Sequence, residues 1–213
     1  LQRFRLAARG HGKAQPPDSE RARVERYFDP LPFWYEGVAS DASAADTDGA
    51  GNYPLSAITQ RPMFMYHSWG SQNAWLRQIA ARNFLYLHPQ TASRYGVHDE
   101  DWIWIASPLG RIRVQAKLHA ATAPGTVWTW NAIGKRKGAW KLSGNAPESR
   151  EGFLLNHLIS ELLPAADHAH RYANADPVTG QAAWFDLRVR IETDAEPRVP
   201  GHRIEPIARD AVR

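Results

Sequence analysis

The chain has 213 residues, 43% of them hydrophobic, enough to fill the core of one sizeable domain plus an extension. It contains no cysteine, which excludes disulfides, thiolate metal sites and cysteine-held iron–sulfur clusters from this stretch, and no run of the roughly 18 apolar residues that a membrane helix needs. A formal charge of +4 and a pI of about 9.5 suit a phosphate-bearing or nucleic-acid partner, yet the basic residues are scattered, apart from the Arg-rich start and Lys135-Arg136-Lys137.

The first residue is not Met, and residues 1–13, though basic, lack the apolar stretch and cleavage site of a signal peptide; the chain therefore reads as a piece of a longer polypeptide. Residues 1–8 form an apolar-basic segment. Asp18 can cap a helix over residues 20–27, which must end before Asp29-Pro30 because proline pushes its predecessor out of helical geometry. Phe33-Trp34-Tyr35 reads as an aromatic anchor onto the parent body. Residues 40–52 are Ala, Ser, Asp and Gly with almost nothing large and apolar, the composition of a flexible linker. The expected organisation is residues 1–39 as the end of a preceding region, 40–52 as linker, 53–192 as a folded domain and 193–213 as a tail.

An apolar strand ends at Thr59-Gln60-Arg61, and residues 66–73 then pack hydroxyls, an imidazole, two amides and Gly70 into a short polar loop. Such a set, led by an arginine, suits a polar heteroaromatic ligand carrying phosphates, since amides read ring edges and a guanidinium forks onto phosphate oxygens. The same residues also serve as ordinary turn and cap residues. Residues 75–81 follow as a short helical turn and 84–87 as a buried strand. Pro89 at a helix start and Gly96 at its end bracket about two turns. An acidic turn at residues 97–101, in which Asp101 bonds backbone amides, leads into a strand over 102–106. Pro108-Leu109-Gly110 turns the chain into residues 111–118, whose strict alternation marks a strand with one wet face. Pro124-Gly125 turns it again into a strand over 126–130, and residues 187–191 form a last strand.

These blocks, taken in order, resemble the C-terminal dinucleotide-binding domain of the molybdopterin oxidoreductases, the dimethyl sulfoxide reductase superfamily that includes formate dehydrogenases. The resemblance is carried by Thr59-Gln60-Arg61 with His67-Ser68-Trp69-Gly70, by Gly96-Val97 ahead of Asp101-Trp102, by residues 128–134 with 152–159, and by residues 176–181 running through Trp184-Phe185-Asp186. It implies a mainly β fold with short α-helices, a six-stranded double-psi β-barrel with an N-terminal helical or extended extension. The implied cofactor is Mo-bis(molybdopterin guanine dinucleotide), over which this domain closes as a lid. In that reading Arg61 meets a phosphate, and His67, Ser68, Asn73, Asn131, Asn156 and Gln181 hydrogen-bond pterin or guanine edges. Trp184 gives stacking area, Asp186 accepts from a pterin nitrogen, and Thr59, Gln60 and Tyr66 complete the set. Two departures stand out: Gln60 replaces a glycine common in the family, and Trp184-Phe185 stands where formate dehydrogenases carry an aromatic-Lys pair, removing a cation.

The metal ligand, substrate pocket and iron–sulfur cluster are expected in an N-terminal portion outside this sequence, leaving here no catalytic residue and no protein-built metal site. His67, His157, His168 and His170 show no metal-binding spacing. Within the superfamily, residues 58–63, 67–73 and 130–135 are similar to sulfite dehydrogenase catalytic subunits. That likeness implies two-electron oxidation of sulfite to sulfate and three partners. These are the N-terminal remainder of the same polypeptide, a ferredoxin-like iron–sulfur electron-transfer subunit, and the membrane anchor subunit that holds a cytoplasmic enzyme at the membrane. The alternatives are the same domain of a formate dehydrogenase or a polysulfide or thiosulfate reductase. Outside the family, the alternative is a stand-alone basic β-domain binding single-stranded nucleic acid, a partner the resemblance does not call for.

Overall fold

The computed structural model describes residues 1–31, 53–66, 69–70, 73–80, 82–131, 133, 152–159, 181, 187–201 and 203–206. The expected linker, the aromatic anchor at 33–35 and the basic loop at 135–137 lie outside them. Two compact units emerge, Leu1–Gly37 with Leu162–Ala183, and Val38–Glu161 with Trp184–Arg213.

In the first unit two helices pack together, α1 (Gln2–Ala8) and α2 (Arg21–Tyr27). Phe4 meets Phe28 edge to face at 5.5 Å, and Arg5 reaches Asp29 at 2.6 Å. The cap differs from the expectation. Residues Asp18–Glu20 wind into a 3-10 turn ahead of α2, and the Asp18 carboxylate receives the Arg21 side chain at 2.7 Å instead of a helix amide. Charge pairing with a neighbouring guanidinium has displaced the cap.

The second unit is a barrel. Its strands are β1 (Leu55–Gln60), β2 (Leu85–Leu87), β3 (Trp102–Ser107), β4 (Gly110–Leu118), β5 (Thr126–Trp130), β6 (Arg188–Thr193) and β7 (Arg203–Pro206). Order β2-β5-β1-β6-β3-β4 closes on itself through a parallel β4–β2 pairing at residues 116–118, giving the expected six-stranded barrel. Closure pairs β2 with β4 over residues 116–118, so the two ends of this strand order cover each other there. Leu55, Leu85, Leu87, Ile103, Ile105, Ile112, Val114, Val127 and Val189 fill the interior, and Phe153, Leu155 and Leu158 join the same core.

Two short helices flank the strands, α3 (Ala74–Ile79) and α4 (Pro89–Arg94). In α4 the sequence signals act as read. His88 Nδ1 accepts from the Gln90 amide at the start, and Gly96, at φ +64°, closes a Schellman end in which Gly96 N–H reaches Ser93 O and Val97 N–H reaches Ala92 O.

The alternation in β4 misleads at one position. Arg113 falls on the nominally wet face, yet only 3% of its side chain is exposed. It is roofed by residues 194–201, donating to Asp194 at 2.6 Å and to the carbonyls of Glu196, Val199 and Gly201 at 2.7 to 2.8 Å. Burial alone would raise the Asp194 carboxyl, but hydrogen bonds from Arg113 and the Glu196 amide hold it below its ordinary value. Beyond this roof β7 pairs with the β4 edge that β2 leaves free, from Gly110↔Pro206 to Arg113↔Arg203. The acidic turn is less solvated than its composition suggests: Asp101 is buried, accepts from the His98 amide at 2.8 Å and meets Arg198 at 3.1 Å.

Candidate functional site

β1 and β5 lie side by side and parallel, so their C-terminal ends open at the same end of the barrel. The register pairs Thr59 with Thr129 and Gln60 with Trp130, and Asn131 N–H extends it by donating to Gln60 O at 2.8 Å. Thr59, Gln60, Arg61 and Asn131, 72 positions apart at the extremes, are thereby gathered on one lip. Gln60 and Arg61 are exposed there. Behind them three buried oxygens, Thr59 Oγ1, Thr129 Oγ1 and Asn131 Oδ1, have no hydrogen-bond partner among the described residues.

Native proteins leave few buried polar atoms unpaired, and such atoms call for an explanation. At the surface of the lip, exposed Gln60 and Arg61 offer an amide and a guanidinium, chemistry that suits a ligand with polar ring edges and phosphate oxygens, such as a pterin dinucleotide.

The chain leaves the lip through a tight bend in which Met65 N–H donates to Pro62 O. Gly70 is needed for close approach: a Cβ there would lie 3.1 Å from both Cα and Cβ of Met65. Tyr66 and Trp69 meet edge to face at 6.4 Å, both exposed. Asn73 opens α3, its Oδ1 accepting from Trp75 N–H at 2.9 Å, so its carbonyl oxygen is used as a helix cap. Met63, Tyr66, Trp69, Trp75 and Ile79 form an unusually apolar exposed segment.

Asn156 is exposed within a 3-10 turn, Leu155–Leu158. Its position is fixed from both sides: Ser107 Oγ donates to Leu158 O at 2.9 Å, and Asn83 Nδ2 donates to Phe153 O at 3.3 Å. Asn83 also donates to Trp130 O at 2.9 Å, tying this segment to the end of β5. In sequence Asn83 is an amide just before a buried strand and looks like a turn residue, so no local signal marks it. Only the tertiary fold reveals that it is buried. Gln181 is exposed and belongs to the first unit. His67, Ser68, Trp184 and Asp186 lie outside the described residues.

A separate cleft of ≈ 320 Å³ lies beside the start of β1 and the β3–β4 turn, lined by Tyr53, Ser107, Arg111, Arg190, Glu192 and Glu205 among others. Its charges answer one another: Arg111 pairs with Glu192 at 3.0 Å and Glu205 at 2.7 Å, and Arg190 with Glu192 at 2.8 Å. Burial opposes ionisation of Glu192, but hydrogen bonds from Arg190 and Arg111 win and hold its carboxyl low. A self-neutralised cleft attracts phosphate less than the lip does. Among the described residues no group of three or more His, Cys, Asp or Glu is placed to hold a metal, and no helix is long and apolar enough to cross a membrane.

Residues 55–170 match the family model described as Molydopterin dinucleotide binding domain. The chain belongs to that family. This dinucleotide-binding domain is 55% identical to a sulfite dehydrogenase subunit from Allochromatium vinosum over 212 residues, 98% of this chain and 21% of that protein. It is 29% identical to a tetrathionate reductase subunit from Salmonella typhimurium over 178 residues, 78% of this chain and 17% of the relative. Acetylene hydratase from Pelobacter acetylenicus shares the fold, with a TM-score of 0.54 at 22% identity over 83% of this chain and 23% of the hydratase. The dinucleotide-binding domain thus spans about a fifth of the length of these relatives, and the lip at Thr59–Arg61 and Asn131 lies within the matched region.

Proposed function

We propose that this domain closes over a bis(molybdopterin guanine dinucleotide) molybdenum cofactor with the barrel end formed by Thr59, Gln60, Arg61 and Asn131, and that the parent enzyme oxidises sulfite to sulfate. The observation behind the site is the parallel β1–β5 register, which gathers Thr59, Asn131 and the exposed Gln60 and Arg61 on one lip. The observation behind the substrate is 55% identity to a sulfite dehydrogenase subunit over nearly the whole chain. When bound, the cofactor supplies two-electron redox chemistry. The residues of this chain bind and orient it: Arg61 pairs with phosphate oxygens, and Asn131 and Asn156, with Asn73, His67 and Ser68, read ring edges. Tyr66 screens the cofactor from water, while Trp184 and Asp186 contact the pterin. Hydrogen bonds to a cofactor tune its electronics, which is the protein's share of the work.

The exposed apolar run Met63, Tyr66, Trp69, Trp75 and Ile79 supports a face covered by the rest of a larger polypeptide. In this reading residues 1–39 end the preceding region, 40–52 link it to the barrel domain, and an iron–sulfur cluster sits in the N-terminal part. Electrons leave through a ferredoxin-like subunit to a membrane anchor at the cytoplasmic side. Purified full-length enzyme should reduce an artificial acceptor with sulfite and not with formate or thiosulfate. Turnover with formate alone would overturn the substrate assignment. The site has its own test: Arg61→Ala, at an exposed residue, should lower molybdenum content while apo-protein stability stays within about 1 kcal/mol; Asn131→Asp should lower it too, with some loss of stability because a buried oxygen becomes charged, and full molybdenum content in both variants would overturn the site.

A further inference from the structure

Asn83 is the buried amide with the fullest set of interactions at the candidate site. It is 1% exposed and uses all four of its hydrogen-bonding positions. Nδ2 donates to Trp130 O at 2.9 Å and Phe153 O at 3.3 Å, while Oδ1 accepts from Phe84 N–H at 3.1 Å and Trp130 N–H at 3.3 Å. The amide orientation follows from this network, because only one way round faces its NH₂ to two carbonyls and its oxygen to two N–H groups.

The bonds link two pieces of chain that carry cofactor-facing groups. Trp130 is the last residue of β5 and is followed directly by Asn131, whose own N–H is committed to Gln60 O. Phe153 precedes by three residues the exposed Asn156. Phe153, Leu155 and Leu158 are all fixed in the core, and Ser107 pins the far end at Leu158 O. Asn83 is a buried polar side chain that joins the β5 end to the 152–159 segment. A buried network with every member satisfied favours one arrangement, because each lost bond leaves a desolvated group behind.

Resting on the cofactor reading above, we propose that Asn83 is a positioning residue, which sets the spacing between Asn131 and Asn156 so that both amides meet the same pterin. Asn83 itself touches no cofactor. Removing its side chain takes one hydrogen-bond partner from each of Trp130 N–H, Trp130 O and Phe153 O, and so loosens the tie between the β5 end and the 152–159 segment while Ser107 still holds Leu158.

The test is a double-mutant cycle in the full-length enzyme with Asn83→Ala, Asn156→Ala and the double variant. The readouts are the rates at which molybdenum and released nucleotide leave the purified protein on dialysis, with apo-protein melting recorded alongside. Each single variant should lose molybdenum about fivefold faster, as expected for one hydrogen bond's worth of retention. The double variant should be no faster than the faster single, because Asn83 acts through Asn156. Multiplying effects, or wild-type retention in Asn83→Ala with faster loss in Asn156→Ala, would overturn the positioning role and leave the cofactor reading intact. Wild-type retention in Asn156→Ala together with Asn131→Asp would overturn that reading, and the positioning role with it. Should Asn83→Ala not accumulate as folded protein, Asn83→Ser, which keeps a short donor, enters the same cycle with the same outcomes.

Discussion

Replacing Arg113 with Met should be the most damaging single change in the barrel away from its apolar core. The guanidinium and the Asp194 carboxylate are 3% and 10% exposed and 2.6 Å apart, so deleting the cation strands a nearly buried anion. Breaking a buried pair from one side costs about 3–5 kcal/mol. Three carbonyls, of Glu196, Val199 and Gly201, lose a charged donor as well. Glu196 and Val199 are exposed residues, so water recovers much of that loss, and the expected total is about 4 kcal/mol. Asp194→Asn should cost less, about 1–2 kcal/mol, because an amide oxygen still accepts from Arg113. Urea unfolding of the 213-residue chain measures both, and Trp102, whose ring lies 5.2 Å from the Arg113 guanidinium, offers a local fluorescence signal. A loss below about 1 kcal/mol for Arg113→Met would refute the argument, since that is the scale of an exposed pair.

Acid should weaken the fold through Asp99, Glu192 and Asp194, whose folded carboxyls are all held below their ordinary values despite burial that works the other way. Their contribution is complete above the unfolded pKa and is lost as pH falls through the folded one, so melting temperature should fall below about pH 4; a melting temperature flat down to pH 2 would contradict this. Lys117 is shifted upward, first by the hydrogen bond it donates to Asp99, so its contribution should fade only as pH rises above its ordinary value of 10.5. Glu100 sits at φ +68°, a conformation in which a β-branched side chain is strained. Glu100→Val should therefore cost about 1–2 kcal/mol while Glu100→Gly is neutral or slightly stabilising, and equal melting temperatures for the two variants would show that the backbone there adapts freely.

Local signals carried most of the second unit. Pro89 and Gly96 bracket α4, the two-residue turn at Pro108-Leu109 joins β3 to β4, and Pro124-Gly125 precedes β5, each through chemistry confined to a few neighbouring residues. What a linear reading could not reach is long-range pairing. The parallel β1–β5 register that sets Thr59 beside Thr129 spans 70 positions and leaves no periodic trace. Arg113 obeys the alternation and is buried only because residues 194–201 fold over it. β7 pairs over four residues in a stretch that reads as a tail, too short to show a period. Of the candidate site, Thr59, Gln60, Arg61 and Asn131 stand in blocks that carry the resemblance; Asn83 does not, because one buried amide looks like any other in sequence.

The measurement closest to the central claim is hydrogen exchange, read by mass spectrometry, on full-length enzyme with and without its cofactor. Backbone amides at an occupied site exchange more slowly because local opening is suppressed. Peptides covering residues 58–70 and 128–133 should gain protection when cofactor is present, with residues 153–157 following. Peptides around Tyr53, Ser107 and Arg190 at the self-paired cleft should not change. Protection confined to the cleft, or none at the β1 and β5 ends, would contradict the assignment of this barrel end to the dinucleotide.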